Sequence, residues 1–487
     1  MSKKVIAIDI GSSSIRASVV NETLEIERQF ILPFSRVSPI ANFVEYNHDE
    51  FQLNLLSATN AALEFAGDCE VEIAITNQRA TTAAIDSDGK GFGPILSWMD
   101  LRTSPLCLDL SSKDHHIAPN QAVTKAMYLA SLEAKMAEQL RFATLDTLAI
   151  FHLTNGQIFA TDHSNAATAG FIESLDLSYS KDLLRDCDLN IEQLPQLRNT
   201  YGTFGFYDFR GRDIEITVAI GDQQASLLGQ NAIERGSTKV TFGTGTILDT
   251  SMGLDKPKSA HKSDNGTFPI VTYTNDNEVG WGFEALSLGS GSCVDWLISL
   301  GVISGYHEAS TFARNFRDYS KAIFVPAPSG LGTPIWDFGA RSLFEDLTLG
   351  DTKTEIVAAV LDGIAALTND LLDAAIAESG VVPETIYVDG GMVTNRSFVE
   401  VVADNLGLKV AISPEKEATT IGASALALAK GDPSRFADLF EQIESRREIV
   451  APLHERGSNE YNRRREAWLE ARSKAQGSIP ELSAISF

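Results

Sequence analysis

The sequence predicts a mixed α/β protein built from two halves of similar plan. The chain has 487 residues, which is more than one hydrophobic core normally supports, so we expect two domains. Near the N-terminus, β-rich runs at residues 5–10, 15–20 and 24–27 are joined by small turn residues, a pattern that predicts an antiparallel meander. Residues 239–250 repeat the order of strand, small-residue turn and strand. This repetition indicates two α/β halves with a boundary near Gly229.

The other elements follow from local patterns along the chain. In the first half, strands are expected at residues 71–76, 83–85 and 214–220, and helices at about 125–140, 143–153 and 223–230. In the second half, helices are expected at about 294–300 and 354–378, from Asn395 and from Thr420, with a strand at 385–388. The expected domains are an N-terminal domain at 1–229, a C-terminal domain at 230–450 and a helical extension at 451–487.

A basic run lies in this extension, where Arg463, Arg464 and Arg465 stand among glutamates and precede Trp468 and Arg472. Mixed charges at this spacing are typical of a solvated helix face stabilised by ion pairs within the helix. We therefore expect the run to face solvent.

The composition indicates a protein that acts on a small molecule. Apolar residues make up 44% and charged residues 22% of the chain, as in ordinary globular proteins. Its 40 basic and 65 acidic side chains give a net charge of −25, which repels phosphate backbones and argues against binding to nucleic acid. The four cysteines show no metal-ligand or disulfide spacing. The apolar run after Lys4 is too short for a signal peptide or a membrane span, so we expect a cytoplasmic protein with no membrane partner.

Three turns rich in small residues follow predicted strands, at residues 11–14, 243–245 and 389–391. Small residues leave backbone N–H groups and hydroxyls open to close approach, which binding of phosphate groups requires. Each turn alone is more often a plain hairpin turn, but three in one chain, two of them at matching places in the two halves, favour phosphate binding. None has the sequence of a Walker A loop or of a GxGxxG dinucleotide loop.

Two aspartates at strand ends are candidate functional residues. Asp9 ends the first strand beside a turn of this kind, where a carboxylate suits Mg²⁺, an ion that prefers carboxylate, phosphate and water oxygens. The alternative for Asp9 is a buried residue that caps its own turn. Asp222 lies where the strand at 214–220 meets the next helix, and its alternative role is that of the helix N-cap.

Ten short segments of the chain match one known family. They are DIGSSSIR at 9–16, TNQR at 76–79, WMDLR at 98–102, TK at 124–125, GDQQAS at 221–226, FGTG at 242–245, GLGTPIWD at 330–337, AR at 340–341, DGG at 389–391 with Asn395, and GA at 422–423. On these ordered matches the chain resembles the FGGY carbohydrate kinases, and among them most of all the glycerol kinases, over nearly its whole length. The resemblance implies two ribonuclease H-like domains of the actin-like ATPase type, with ATP and substrate in the cleft between them.

The resemblance also implies a role for each matching residue. Asp222 is implied as the catalytic base and Asp9 as the residue that faces Mg²⁺. The implied substrate-binding positions are Arg79, Ala80, Trp98, Gln223 and Ile247. The implied ATP-binding residues at the phosphate end are Ser12, Ser13, Arg16, Gly243, Thr244 and Gly245. Those at the nucleoside end are Gly291, Gly391, Met392 and Asn395.

The implied base can act only while the new bond forms. An aspartate pKa near 3.9 lies about 12 units below the value of 15.7 for water, a gap worth roughly 16 kcal/mol, so Asp222 cannot form a free alkoxide beforehand. It must orient the hydroxyl and take its proton as the oxygen–phosphorus bond forms. Proton transfer that accompanies bond formation suits a loose phosphoryl-transfer transition state.

The chain departs from glycerol kinases in the implied substrate pocket. Those enzymes follow the matching arginine with a substrate-binding glutamate, but Ala80 follows Arg79 here, and Asn120 and Ile247 fall where they have a tyrosine and a phenylalanine. A hydrogen bond to a charged group contributes about 1.5–3 kcal/mol, so this loss weakens glycerol binding by about tenfold to a hundredfold. Two interpretations stay open: a pocket widened for a longer polyol or a ketose, and an ordinary glycerol kinase with a compensating acceptor elsewhere.

Other classes of protein share the implied core. An actin-like or Hsp70-like nucleotide switch has the phosphate turns but has no need of a substrate constellation such as Arg79, Trp98 and Asp222. A regulatory pseudokinase is disfavoured by the intact Asp9, Thr244 and Asp222. We therefore expect an ATP-dependent kinase that uses Mg²⁺ and acts on a small polyol or sugar. Homodimers are common in the family, so a homodimer is one option for the oligomeric state of this protein.

Overall fold

The structure is a computed structural model that describes residues 3–40, 42–173, 175–313 and 322–483. The elements of the first half are, in chain order, β1 (Lys3–Ile10), β2 (Ser14–Asn21), β3 (Ile26–Pro33), β4 (Glu45–Tyr46), α1 (His48–Ala66), β5 (Glu70–Asn77), β6 (Thr82–Ile85), β7 (Gly91–Leu96), α2 (Ser104–Ser111), α3 (Ala122–Ser131), β8 (Arg141–Thr144), α4 (Leu145–Leu153), β9 (Ala160–Asp162), α5 (His163–Ala169), β10 (Ile172–Glu173), β11 (Ser178–Tyr179), α6 (Lys181–Asp186), β12 (Gln196–Arg198), β13 (Phe206–Phe209), β14 (Arg212–Gly221) and α7 (Asp222–Gly229).

The second half continues from this helix. Its elements are β15 (Thr238–Phe242), β16 (Thr246–Gly253), β17 (Phe268–Thr274), β18 (Val279–Ser287), α8 (Gly291–Ser299), α9 (Tyr306–Ala313), β19 (Ile323–Val325), β20 (Leu343–Glu345), α10 (Lys353–Ser379), β21 (Thr385–Asp389), α11 (Arg396–Leu406), β22 (Lys409–Ile412), α12 (Ala418–Leu428), α13 (Phe436–Ser445), β23 (Glu448–Val450), α14 (Asn459–Ala475) and α15 (Pro480–Ser483).

One large mixed sheet organises each half. The first has the strand order β13-β14-β5-β1-β2-β3 and the second the order β17-β18-β16-β15-β21-β22-β23. Each sheet contains an antiparallel meander, which is β1, β2 and β3 in the first sheet and β15, β16 and β18 in the second. The first strand of the meander pairs on its other side with the first of two parallel strands, β5 and β14 or β21 and β22. An antiparallel edge strand, β13 or β23, follows these two. The sheets therefore match strand for strand apart from β17. The predicted meander and its repeat at 239–250 are confirmed.

A layer formed by α7 and α12 lies between the two sheets. Successive side chains of a strand point to opposite faces, and in β1 the side chains of Ile6 and Ile8 pack in one core with α1, while Val5 and Ala7 pack in another with α7 and α12. Helix α12 contacts β1, β5 and β14, and α7 contacts β14, β16 and β17. Since α7 touches both sheets, its first residue lies where the two halves meet.

Glycines let α7 and α12 pack almost backbone to backbone. A Cβ atom at Gly422 would lie 1.8 Å from the carbonyl oxygen of Ala225, and one at Gly229 would lie 1.9 Å from that of Ala418. Backbone atoms cannot move aside as a flexible side chain can. The close approach of the two helices therefore requires glycine at both positions.

Replacing Gly422 by alanine is expected to lower the free energy of unfolding by about 1–3 kcal/mol or more, because the added methyl group overpacks the crossing. Urea unfolding of the variant and the wild type measures the difference. Gly305→Ala is the matched control, since a Cβ atom there meets no atom within 4 Å. Equal stability of the Gly422 and Gly305 variants would contradict this account of the crossing.

One predicted helix is wrong in its extent. The helix expected at about 125–140 ends at Ser131, and residues 141–144 form β8, which pairs with β6 in a four-stranded sheet of order β4-β7-β6-β8. The intervening residues are good helix formers, but Leu140 and Phe142 are buried against the small sheet's core. Tertiary packing therefore overrides local helix propensity here.

The basic run in α14 does not simply face solvent, and that prediction was wrong. Arg465 Nη2 lies 2.6 Å from Asp370 Oδ1, and Arg472 Nη1 lies 2.8 Å from Asp370 Oδ2. The buried indole of Trp468 donates a hydrogen bond to the same carboxylate at 3.1 Å. Asp370 lies on α10 and is fully buried, so these side chains attach the extension to the second half. Of the run, Arg463 is exposed as expected.

None of the helices in the described part of the chain is both long and apolar enough to span a membrane.

Candidate active site

Asp222 stands at the start of the inner helix layer. Gly221 at the end of β14 is the N-cap of α7, so Asp222 is the first residue of the helix and not its cap. Its Oδ1 accepts a hydrogen bond from the N–H of Gln223 at 2.8 Å and lies 3.4 Å from Nε of Arg79. Its Oδ2 receives no hydrogen bond from the described residues, and the side chain is 29% exposed. One oxygen is thus held in place and the other is open to a ligand.

The environment of Asp222 makes it a better proton acceptor than an exposed aspartate. Burial raises the pKa of its carboxyl group above the ordinary value, while the guanidinium of Arg79 acts in the opposite direction. A raised pKa increases basicity, while the charge of Arg79 favours the ionised form of the carboxyl group. The group therefore suits the role of a general base.

Arg79 lies between two carboxylates that come from different halves of the chain. Besides its contact with Asp222, its Nη2 lies 2.6 Å from Oε2 of Glu284 in β18. Its Nη1 is buried and receives no partner among the described residues, so it remains a donor for a ligand. Glu284 could not be identified from the sequence. It lies in an ordinary strand 205 residues away from Arg79 along the chain, and no local pattern indicates that the two residues meet.

Ala80, the position that departs from glycerol kinases, has a backbone φ of 59°. This left-handed conformation costs a residue with a Cβ atom about 1–2 kcal/mol, and such strain concentrates at functional sites. The next residue, Thr81, accepts a hydrogen bond through Oγ from the N–H of Trp98 at 3.1 Å. Trp98 is 40% exposed, so its ring stands at the surface beside this segment.

A fully buried ion pair on the second sheet supports Gln223. Lys239 Nζ in β15 lies 2.9 Å from Asp249 Oδ2 in β16, and it also donates to Oε1 of Gln223 at 2.6 Å. The amide nitrogen of Gln223 is thereby left to act as a donor. Burial raises the pKa of Asp249 to about 6, and the ammonium of Lys239 opposes this shift. Sequence analysis missed this pair, although charged residues inside two β-rich runs were a usable signal.

Ile247 shares a sheet face with these charged residues. In the register of β16 and β18, Ile247 faces Leu286 and Asp249 faces Glu284. Side chains two residues apart on a strand point to the same side of the sheet. Ile247 and Glu284 therefore lie on the face that carries the contact with Arg79.

Asn120 lies on an exposed segment just before α3. The buried ammonium of Lys125 donates to the carbonyl oxygens on both sides of it, those of Pro119 at 2.7 Å and Gln121 at 3.0 Å. Burial lowers the pKa of Lys125 to about 7. Lys125 thus holds the backbone around Asn120, whose side chain has no hydrogen bond to Arg79 or Asp222.

The first small-residue turn, between β1 and β2, is anchored through its carbonyl groups. Tyr46 donates its hydroxyl proton to the carbonyl oxygen of Ser12 at 3.0 Å, and the N–H of Phe34 donates to that of Ser13 at 2.9 Å. The turn is therefore a hairpin turn with a defined backbone, and its serine side chains are at least partly exposed.

Asp9 and Arg16 form an ion pair beside this turn. Arg16 Nη2 lies 2.8 Å from Oδ2 of Asp9, and its Nη1 lies 3.0 Å from Oε2 of Glu417, which precedes α12. Burial raises the pKa of Asp9 to about 6; Arg16 opposes the shift, and the negative charges of Asp222 and Glu417 add to it. Asp9 is thus a buried carboxylate in an acidic surrounding that is only partly neutralised.

The predicted ATP-binding residues of the second half converge on the turn between β15 and β16. The N–H of Gly291, the first residue of α8, donates to the carbonyl oxygen of Gly243 at 3.0 Å, and the N–H of Ser292 donates to that of Thr244 at 3.1 Å. A Cβ atom at Gly390 would lie 2.4 Å from the carbonyl oxygen of Phe242, so the third small-residue turn packs against the second.

The remaining predicted residues lie next to this junction. Met392 follows the third turn, and its sulfur accepts a hydrogen bond from the hydroxyl of Ser290 at 3.4 Å. Asn395 is the N-cap of α11, where its side chain accepts a hydrogen bond from the N–H of Phe398 at 3.2 Å. Gly391 is exposed, and a Cβ atom there would meet nothing within 4 Å. Gly391, Met392 and Asn395 thus lie in or directly after the third turn, and Gly291 contacts the second turn.

Two buried hydroxyl groups near this turn have no hydrogen-bond partner among the described residues. The hydroxyl oxygens of Thr246 and Ser292 are buried and make no hydrogen bond within the described part of the chain. Buried polar groups normally have a partner, which is protein, water or a ligand. Their position, next to Gly245 and Gly291, is consistent with a site that a polar ligand completes.

The fold and the site together define the class of this protein. Two matching sheets with an inner helix layer and small-residue turns at corresponding places form the actin-like ATPase architecture, and an open aspartate lies where the two halves meet. Residues 4–229 match the N-terminal domain, and residues 238–430 the C-terminal domain, of the FGGY family of carbohydrate kinases. The chain belongs to this family, whose members are ATP-dependent phosphotransferases.

Individual relatives agree with this assignment. Glycerol kinase 2 of Thermotoga maritima is 32% identical, with 98% of this chain and 99% of that protein covered. Among solved structures, Plasmodium falciparum glycerol kinase with ADP superimposes with a TM-score of 0.88 at 24% identity, covering 100% of this chain and 99% of the other. A ligand-bound xylulose kinase from Lactobacillus acidophilus gives 0.83 at 17% identity, with 99% of each chain covered.

These findings confirm the predicted fold class and the resemblance to glycerol kinase. They also favour the kinase over a nucleotide switch, since both domains match a carbohydrate kinase family. The chain belongs to this family and still differs from glycerol kinases at the pocket positions Ala80, Asn120 and Ile247.

Proposed function

We propose that the protein transfers the γ-phosphoryl group of ATP to a terminal hydroxyl of a small polyol, with glycerol as the reference substrate. The observation that carries the proposal is the placement of Asp222, whose Oδ1 is held by Gln223 and Arg79 while its Oδ2 is open. A carboxylate anchored on one side can orient a hydroxyl on the other. The similarity to glycerol kinases over 98% of the chain supports the same substrate class.

The substrate side of the proposed site consists of donors and apolar surface around this base. Arg79 Nη1 and the amide nitrogen of Gln223 are available to donate to substrate oxygens. The exposed ring of Trp98 and the partly buried Ile247 would provide apolar surface for the carbon chain, as aromatic and aliphatic groups commonly do in small-molecule sites. Together they would bind the polyol with one hydroxyl directed to Asp222.

The proposed nucleotide site comprises the small-residue turns. Ser12, Ser13, Arg16, Gly243, Thr244 and Gly245 would bind the phosphates, and Gly291, Gly391, Met392 and Asn395 the nucleoside. Backbone N–H groups at such turns bind anionic oxygens without the obstruction of a Cβ atom. The Plasmodium falciparum relative binds ADP, and we propose the same cleft for ATP here.

Asp9 is the proposed contact for Mg²⁺. Its buried carboxylate, with a pKa raised to about 6, lies in an acidic surrounding that a divalent cation would relieve. No group of three or more acidic, histidine or cysteine side chains within the described residues forms a metal cluster, which suits an ion that completes its shell with phosphate oxygens and water. Bound Mg²⁺ would neutralise charge that develops on the transferred phosphoryl group.

In the proposed reaction, the substrate oxygen attacks the γ-phosphorus as the bond between that phosphorus and the β–γ bridging oxygen breaks. Oδ2 of Asp222 takes the hydroxyl proton as the new bond forms, and ADP leaves. Arg16 and the backbone N–H groups of the turn at 243–245 would stabilise the charge on the phosphoryl oxygens. The residues thus act mainly by positioning and charge neutralisation.

A longer polyol or a ketose is the second candidate substrate. The specific observation is Ala80, whose buried methyl group offers no carboxylate where glycerol kinases have one. The structural similarity to a xylulose kinase is in keeping with this alternative.

The test is an assay of ADP release from ATP and Mg²⁺ with glycerol, erythritol, arabinitol, ribitol, erythrulose, xylulose and ribulose. Fastest turnover of glycerol would support the first candidate, and preference for a four- or five-carbon compound would support the second. ATP turnover that none of the compounds stimulates would contradict the proposal and favour a nucleotide switch.

Gly243→Ala is expected to raise the KM for ATP by about tenfold or more while leaving the fold intact. A Cβ atom at Gly243 is 3.8 Å from the nearest atom, so it fits the free protein, but it projects from the turn proposed to approach the phosphates. The loss of one charge-assisted hydrogen bond, about 1.5–3 kcal/mol, sets the magnitude. Steady-state kinetics measure the effect, with the polyol KM as the internal control. An unchanged KM for ATP would place the phosphates elsewhere.

A further inference from the structure

A carboxylate from the second half contacts the arginine that precedes Ala80. Ala80 offers no acceptor beside Arg79, but Glu284 Oε2 lies 2.6 Å from Nη2 of Arg79. The same guanidinium contacts Asp222 through Nε at 3.4 Å. Arg79 therefore bridges the proposed base and a second acidic group.

Glu284 has an acceptor to spare. Its Oε2 accepts the hydrogen bond from Arg79, while Oε1 receives no hydrogen bond from any residue in the described ranges. The side chain is only 11% exposed, but Oε1 is not one of the fully buried atoms that lack a partner, so a donor from a ligand can reach it. A substrate hydroxyl is such a donor.

Glu284 and Arg79 together offer an acceptor and a donor to one substrate hydroxyl. A hydroxyl donates one hydrogen bond and accepts others. The carboxylate of Glu284 can accept its proton, and the buried, unpartnered Nη1 of Arg79 can donate to its oxygen. Since Asp222 contacts the other edge of the same guanidinium, this hydroxyl would neighbour the one that is phosphorylated.

We infer that Glu284 is the carboxylate that recognises a second substrate hydroxyl, in place of the acceptor missing at Ala80. The inference rests on the proposed function and specifies its substrate class as polyols and sugars with a hydroxyl next to the phosphorylated one. It makes Glu284 a specificity-determining residue. Glu284 belongs to the second sheet, whereas Arg79 and Asp222 follow strands of the first, so this substrate contact would bridge the two halves.

Glu284→Gln tests the inference, because it keeps the shape of the side chain and removes its charge. The substrate is the fastest compound of the panel, with its monodeoxy analogues alongside; for glycerol these are propane-1,2-diol and propane-1,3-diol. We expect the substrate KM to rise by about tenfold to a hundredfold, with little change in the KM for ATP. The penalty should disappear for the analogue that lacks the contacted hydroxyl.

A rescue and a matched control complete the experiment. Ala80→Glu combined with Glu284→Gln should recover most of the lost substrate affinity, because it restores a carboxylate beside Arg79. Glu278→Gln, an exposed glutamate one residue before the same strand, should leave all kinetic constants unchanged.

Two results would overturn the inference. One is a substrate KM that stays within about twofold of the wild type in Glu284→Gln. The other is an equal penalty for the substrate and all deoxy analogues, which would mean that Glu284 only holds Arg79. Failure of the proposed function itself is recognised separately, since the wild-type chain would then phosphorylate none of the compounds.

Discussion

Asp222→Asn lowers kcat by about 100- to 10,000-fold, the range that removal of a general base produces. Asparagine keeps the size of the side chain and can still accept the hydrogen bond from Gln223, but its amide cannot take up the proton of the substrate hydroxyl. We expect little change in the KM for ATP, because the proposed site assigns Asp222 to the substrate and the small-residue turns to the nucleotide. Coupled ADP release at saturating substrate measures the loss.

The pH dependence adds a second readout. Asp222 must be ionised to accept a proton, and burial raises its pKa, so kcat/KM of the wild type falls as the pH drops through that raised value. The residual activity of Asp222→Asn lacks this contribution. Asp213→Asn is the matched control, since Asp213 lies exposed on the same strand that leads to Asp222. Full activity of Asp222→Asn would remove the base from the mechanism.

Asp370→Asn is expected to lower the free energy of unfolding by about 3–5 kcal/mol, the cost of removing one partner from a buried ion pair. Its carboxylate is fully buried and contacts Arg465 at 2.6 Å and Arg472 at 2.8 Å, while Trp468 donates to it at 3.1 Å. The neutral amide cannot neutralise two guanidinium groups, so the attachment of α14 to α10 is weakened to the contacts of Arg465 with Asp373 and of Arg464 with Asp362. Urea unfolding followed by tryptophan fluorescence measures the change.

Two further variants separate this effect from general disturbance of α14. Glu460→Gln removes an exposed ion pair with Arg463 on the same helix, and we expect no measurable change because exposed pairs contribute little. Asp370→Leu combined with Arg465→Met and Arg472→Met should recover most of the stability, since apolar residues often replace a buried charge cluster without loss. A stable Asp370→Asn variant would contradict the role of Asp370 in attaching the extension.

Much of the fold and part of the site could be predicted from the sequence because their signals are local. The strand and turn patterns at 5–20 and 239–250 specify the two meanders, and their repetition indicates two halves. Asp222 was identifiable because a β-rich run ends immediately before it and a matching family segment surrounds it. The small-residue turns were identifiable for the same reason, since close approach to a ligand or backbone requires small side chains at these positions.

Only the tertiary structure decided which distant residues meet. Glu284 contacts Arg79 although 205 residues of chain separate them, and Lys239 of the second sheet donates a hydrogen bond to Gln223 of α7. The residue pattern of a strand indicates which side chains are buried, but not which partner they face. Arg465 and Arg472 of α14 look solvated in sequence, yet they pair with Asp370 because α10 is packed beneath them. Local patterns determine elements, whereas the pairing of buried charges depends on how those elements pack.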